Sequence, residues 1–208
     1  MQNNITSVVN PQENIRGISQ MDTPNILHLA FVYDLPFGPR RPWLASRGPL
    51  GRIIGGWTLS GIATYASGQP LQVTDTNGRP IPIASPALSG SVENRIGDKV
   101  DPVTHQVLNP YFSTSVWRSL PDQYTLSPVP LYLAYLRSPA SKGMSASLIK
   151  RVQVKERLNV SMRLDASGLF NTPQWGAPGA NLANTATFGV INSAGGSRKM
   201  QVALRAQF

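Results

Sequence analysis

The sequence contains no cysteine, so no disulfide can staple it and no thiolate can hold a metal; the redox compartment is left open. Histidine is nearly absent as well. With only His28 and His105, a zinc site would need carboxylates at ligand spacings that the chain does not offer, and neither metal nor cofactor is expected. Charge is scarce: 14% of residues are Asp, Glu, Lys or Arg, against about 25% in ordinary soluble domains. Long apolar runs are missing too. LYLAYL at 131–136 falls far short of the roughly 20 residues a membrane helix needs, which excludes helical spanning. Helical bundles are disfavoured by 18 Gly and 18 Pro, which would interrupt them repeatedly. The amino terminus, MQNNITSVVNPQENIRG, shows neither the basic nor the apolar region of an export signal. The chain is therefore expected either to stay in the cytoplasm or to be a piece of a longer precursor.

The scarce charge is mostly positive, with a net of +9. Such a balance raises nucleic acid or an anionic membrane surface as partners, but its placement speaks against nucleic acid. Arg40, Arg41, Arg47 and Arg52 lie in a Gly/Pro-rich connector, and Lys150, Arg151, Lys155 and Arg157 bracket a short turn. No helix carries a basic stripe, and these charges read as solvated connector charge.

What the sequence does contain is alternation. Period two predicts strands at 26–35 (ILHLAFVYDL), 57–66 (WTLSGIATYA), 144–151 (MSASLIKR), 158–167 (LNVSMRLDAS) and 200–208 (MQVALRAQF). Alternate side chains of a strand point to opposite sides. One face collects Leu27, Leu29, Phe31, Tyr33 and Leu35; Trp57, Leu59, Gly61, Ala63 and Tyr65; Met144, Ala146 and Leu148; Leu158, Val160, Met162, Leu164 and Ala166; and Met200, Val202, Leu204, Ala206 and Phe208, without a charge or an amide among them. On the opposite face only Ala30, Val32, Ile62 and Ala203 are apolar. This is an antiparallel sheet wet on one side.

Two opposite environments satisfy that pattern. In a soluble β-sandwich binding module the apolar face is the core; in an outer-membrane barrel it faces lipid while the polar face lines the lumen. Three features favour the barrel. Trp57 and Tyr65 bound one apolar stripe, and their eight steps, at about 3.3 Å each with a tilt near 40°, give roughly 20 Å of height between two aromatic girdles, to which Tyr33 also belongs. Short connections alternate with long ones: a few residues near VQVKER at 152–157, against 76–142, where no strand is predicted, and 168–199. The connector at 36–56 falls on the short side and is longer than the rule prefers. A structureless stretch as long as 76–142 is foreign to a compact soluble domain and natural for an outer loop. The third feature is the last strand, which alternates Met200, Val202, Leu204 and Ala206 and finishes on Phe208. Such an ending resembles the carboxy-terminal signal read by the barrel assembly machinery.

A family resemblance follows from longer stretches. NILHLAFVYDLPFG (25–38) followed by GGWTLSGIATYASGQPL (55–71), then SLIKRVQVKERLNVSMRLDASGLFNTPQWGAP (147–178) and TFGVINSAGGSRKMQVALRAQF, resemble in order the barrel end of TonB-dependent receptors of the Oar-like kind. Thr172, Trp175 and the pair Ser167–Gly168 depart from the usual wording. The resemblance implies a receptor of about 22 strands with a plugged lumen, powered from the inner membrane. No plug and no energy-coupling box is visible, so residues 1–208 are expected to be the carboxy-terminal segment of such a barrel, an all-β antiparallel up-and-down meander of about five strands with long outer loops. The expected location is the outer membrane of a Gram-negative bacterium. The expected partners are outer-membrane lipid, the assembly machinery, the rest of the barrel with its plug and, through that part, the energy-coupling complex.

Catalytic sets are not found, and no enzyme is expected. His28 shares the wet face of its strand with Asp34, which alone makes no Ser/His/Asp arrangement and leaves a secreted hydrolase without machinery. GGSRK (195–199) reads as a hairpin tip rather than a phosphate cradle, lacking a strand before and a helix after it. DTNGRP (75–80) reads as a turn, and DKVD (98–101) lacks the further oxygens a calcium ion needs. Arg163 and Asp165 alternate on the wet face of one strand, and Arg205 points to that face of the next, predicting a ladder of lumen charges. Isolated in water, such a sheet would present an open edge and a greasy surface and is expected to aggregate.

Overall fold

The structure is a computed structural model that describes residues 17–38, 42–43, 54–86, 88, 103, 110–125, 127, 129–155 and 158–207. Arg40, Arg41, Arg47, Arg52, His105, Arg157, Phe208 and the 98–101 segment lie outside the described residues. The described residues form eleven strands in chain order: β1 (Ile26–Asp34), β2 (Trp57–Ala66), β3 (Pro70–Leu71), β4 (Ile81–Pro82), β5 (Trp117–Arg118), β6 (Leu133–Arg137), β7 (Ser141–Lys155), β8 (Leu158–Ser167), β9 (Gln174–Trp175), β10 (Ala194–Gly195) and β11 (Lys199–Gln207). Among them no helix is long and apolar enough to cross a membrane. The chain divides into two compact units, one of residues 25–66, 141–174 and 196–208 and one of 1–24, 67–140 and 175–195.

The first unit is an antiparallel sheet in the order β1-β2-β7-β8-β11, each long strand lying beside the next in sequence. Its register keeps the two sequence-derived faces apart. Leu29 faces Ala63, Leu59 faces Leu148, Leu148 faces Leu164, and Leu164 faces Val202. Apolar-face residues face one another through most of the sheet, because directly opposed residues in a ladder point the same way; the exceptions are lysines, Lys142 and Lys150 within the register and Lys155 opposite Leu158 across a register shift. Strand bounds follow the alternation closely, with one difference: β7 runs from Ser141 to Lys155 rather than over 144–151. The stretch read as a turn at 152–157 is thus largely strand, and only residues 156–157 separate β7 from β8. Its extra length places Lys142 opposite Tyr65 and carries the apolar face past Lys150, which stands opposite Trp57, to Val152 opposite Val160. Phe31 lies opposite Gly61, and a Cβ at Gly61 would sit 2.6 Å from the Phe31 ring. The glycine gives the ring its seat, an aromatic covering an otherwise bare stretch of strand.

The second unit corrects the expectation for 76–142. The described residues of that stretch carry short strands, and with Leu71, Val73 and residues of 175–195 they build a core of their own. Short ladders pair β3 with β6 and β4 with β5. Leu71, Val73, Tyr111, Phe112, Trp117, Leu133, Leu136, Phe188 and Ile191 are buried together. Phe112 meets Phe188 edge to face at 5.2 Å and Trp117 at 6.3 Å, the T-shaped geometry that aromatic quadrupoles favour. Trp117 Nε1 donates to the Ser113 carbonyl at 3.1 Å, so burying the indole leaves no unmet donor. Arg137 ties three strands of chain together. Its Nη2 pairs with Asp22 Oδ2 at 2.5 Å, its Nη1 donates to the carbonyls of Asp22 (3.0 Å) and Gly68 (3.1 Å), and its Nε donates to the Ala134 carbonyl at 3.0 Å.

Candidate functional site

The two faces of the five-stranded sheet have different surroundings. On the apolar face Leu29 is 57% exposed and Leu204 75% exposed, although in a sandwich both would be core. No second sheet covers this face among the described residues, and the soluble sandwich expectation is not met. Over the polar face opens a concavity of about 400 Å3, whose lining from four adjacent strands includes Ala30, Val32, Ile62, Ser147, Arg163 and Asp165. Polar residues gathered on one face and exposed apolar residues on the other are the side-chain pattern of a barrel wall.

The residues singled out in the sequence fall as follows. Trp57 and Tyr33 stand near one end of the apolar face, Tyr33 facing Leu59, and Tyr65 stands at the other end, facing Leu27. Lys150 Nζ lies 4.9 Å from the centroid of the Trp57 ring, a cation–π distance in which the lysine stem follows the apolar surface. Sequence sorting stopped at Leu148 and missed this cation; the signal was the continued alternation Met144, Ala146, Leu148, Lys150. Met200, Val202, Leu204 and Ala206 share the apolar face, facing Ala166, Leu164, Met162 and Val160.

On the polar face Arg163 Nε lies 2.8 Å from Asp165 Oδ1. Ser147, directly opposite Asp165 on β7, donates its hydroxyl to the same carboxylate oxygen and accepts from Arg163 Nε at 3.1 Å. The serine is a third member that charge patterning alone could not reveal. Arg205 points to the same face but stands opposite Ser161, while Arg163 stands opposite Ala203; the contact formed is the Arg163–Asp165–Ser147 cluster. His28 faces Thr64, and Asp34 accepts the Thr58 hydroxyl at 2.8 Å. These two are six residues apart on one strand, about 20 Å, so no Ser/His/Asp set is assembled from them. Among the described residues no cluster of three or more His, Asp or Glu could hold a metal. The 75–80 segment does make a turn: Asp75 and Gly78 exchange backbone bonds of 2.7 and 3.2 Å, and Asn77 Nδ2 donates to the Leu120 carbonyl at 2.9 Å.

Strand direction sorts the connections. Ala66 and Ser141 face each other at one end of the sheet, where Ser167 and Lys199 also pair. The long segments 67–140 and 168–198 depart from that end, and residues 35–56 and 156–157 link strands at the other. An antiparallel meander with one apolar and one polar face, and with its two longest connections at the same end, matches the architecture of an outer-membrane barrel wall; the connection over 35–56 at the other end is longer than such walls usually carry. A family described as outer membrane beta barrel domain matches residues 1–201. The chain belongs to that family. Comparison with curated proteins and with solved structures gave no match. The chain is thus an outer-membrane β-barrel protein, a class in which apolar strand faces meet lipid and polar faces line the lumen.

Proposed function

We propose that the chain forms part of the barrel wall of a TonB-dependent transporter of the Oar-like kind, with residues 1–208 as a carboxy-terminal barrel segment that carries no plug. The observation behind this reading is the sheet's division of labour. Apolar side chains gather on one face and polar side chains on the other, and the long segments leaving one end contribute a buried core of their own. Plugged transporters need a wide barrel wall and substantial outer elaboration for ligand capture. The ordered motifs from Leu35-Pro36-Phe37-Gly38 through Phe170-Asn171-Thr172-Pro173 support the Oar-like assignment.

In this reading Trp57 and Tyr33 mark one membrane interface and Tyr65 the other. Met200, Val202, Leu204, Ala206 and Phe208 direct assembly, while Arg163, Asp165 and Arg205 face the lumen. The chain needs no cofactor and catalyses no reaction. Its partners are lipid, the assembly machinery, and the remaining barrel and plug, through which the inner-membrane energy-coupling complex acts.

The test is to produce the chain together with the coding sequence upstream of it, and to measure cross-linking of the product to TonB with and without a proton-motive force. Cross-linking that depends on the force, with the product in the outer-membrane fraction, is the expected result. An outer-membrane product that never cross-links to TonB contradicts the transporter reading.

A further inference from the structure

At the end of the sheet from which the long segments leave, a recess of about 330 Å3 lies on the first unit. It is bordered by Thr64, Ser145, Ser167, Thr172 and Gln174 together with the apolar Ile62, Met144 and Phe170, with glycines between them and no charged side chain among its lining residues. Its polar groups are hydroxyls and one amide. The amide is fixed, since Gln174 Oε1 accepts the Ser141 hydroxyl at 2.7 Å and Nε2 donates to the Lys142 carbonyl.

Phe170 stands in this wall although it is 71% exposed, and the turn presenting it is pinned from both sides. Asn171 N–H donates to Gly168 O at 2.8 Å and Leu169 N–H to Met144 O at 2.8 Å, while Asn171 Oδ1 accepts the Arg198 N–H at 3.0 Å. Asn171 takes φ 51°, a left-handed conformation that asparagine adopts readily in turns. The turn thus presents a largely exposed aromatic side chain beside the hydroxyls of the recess.

We infer that this recess binds a neutral sugar, with Phe170 stacked on the apolar face of the pyranose ring and the hydroxyl and amide groups meeting its hydroxyls. The inference rests on the transporter reading and names its substrate class. A saccharide combines one apolar ring face with a rim of hydroxyls, which is the complement of what the recess offers. A ferric catecholate or an acidic peptide carries formal charge and calls for opposite charge in its site. The volume, near the lower end of the roughly 300–1,000 Å3 typical of small-molecule sites, suits one or two sugar residues.

The experiment is calorimetric titration of the full chain in detergent micelles. The ligands are maltotriose, cellotriose and xylotriose, with trigalacturonate and iron tris-catecholate as charged comparators. The same titrations on outer-membrane preparations from cells producing the chain cover a failure to fold in micelles. At least one neutral trisaccharide is expected to bind more tightly than both charged ligands. Phe170→Ala is expected to weaken it about tenfold, a change of about 1.4 kcal/mol, and Phe170→Trp to retain it. Binding by no neutral trisaccharide in either preparation, tighter binding of a charged comparator, or equal binding by Phe170→Ala overturns the assignment. TonB cross-linking is read separately, so an energised receptor that ignores sugars sinks only the recess, and a sugar binder that never cross-links sinks only the transporter reading.

Discussion

Arg137 carries more of the loop-built unit than any other single polar side chain described. Its guanidinium contacts Asp22 and the carbonyls of Gly68 and Ala134, joining segments far apart in sequence through a planar fork that lysine cannot reproduce. Its side chain is 22% exposed and that of Asp22 38%, so screening trims the pair, but hydrogen bonds to a charged group keep about 1.5–3 kcal/mol. Arg137→Ala is expected to destabilise the unit by about that amount, read as faster proteolysis within 67–140, and Arg137→Lys is expected to recover only part of the loss. Asp122 gives a pH signature. The Thr125 hydroxyl, then the backbone N–H groups of Thr125 and Tyr124, hold its carboxyl below the ordinary carboxylate value. A depressed folded value means that the turn's stabilisation is present above the unfolded pKa and is lost as pH falls through the folded one. Amide protection at Tyr124 and Thr125 is thus expected to fall in acid, below the usual carboxylate range, and Asp122→Asn to remove that dependence. Protection that tracks pH equally in the variant would contradict it.

Elements test the assignment of faces. Leu204 and Arg205 are neighbours on β11 that face Met162 and Ser161 respectively. Placing arginine at the lipid-facing position costs about 2–4 kcal/mol near mid-bilayer and little on the lumen side. Leu204→Arg is therefore expected to lower folding stability in bilayers by about that amount, while Gln201→Arg, which faces Asp165 on the polar side, does not lower it; equal losses would remove the distinction between faces. Gly61 is the other sensitive point. A side chain there meets the Phe31 ring, so Gly61→Val should cost about 1–3 kcal/mol by overpacking, and pairing it with Phe31→Ala should recover part of the loss. Strands of this kind were legible in the sequence because a single alternation runs through each. What stayed hidden was the length of β7. Its added ends are Ser141-Lys142-Gly143 and Val152-Gln153-Val154-Lys155, where a lysine and a glycine interrupt the apolar period at one end and charge clustered around a short connection reads as a turn at the other. The Arg163–Asp165–Ser147 cluster was legible only in part, since the serine joins through strand register, which no single strand encodes.

At the scale of the whole molecule, the unit built from 67–140 and 175–195 was not legible at all. Its ladders are two to five residues long, too short to show a period, and its core gathers Tyr111, Phe112, Trp117 and Phe188 from scattered positions that only tertiary packing brings together. The sheet's topology carries a consequence of its own. Among the described residues the sheet has five antiparallel strands, an odd number, so its edge strands β1 and β11 run in the same direction. Joining β11 of one copy to β1 of another in one membrane would be a parallel pairing, whereas barrel walls are antiparallel. The chain alone is accordingly expected to yield no SDS-resistant homo-oligomer after refolding in detergent, and a heat-sensitive oligomeric band would contradict this.

The central claim is that the apolar face meets lipid and the polar face meets water. The direct measurement is a nitroxide scan along Lys199–Gln207 in bilayers, comparing collision rates with oxygen and with a water-soluble nickel complex. Oxygen preference at Met200, Val202, Leu204 and Ala206, alternating with nickel preference at Gln201, Ala203, Arg205 and Gln207, is the predicted result. Low access to both reagents at Val202 and Leu204, as in a dry protein core, would contradict the account.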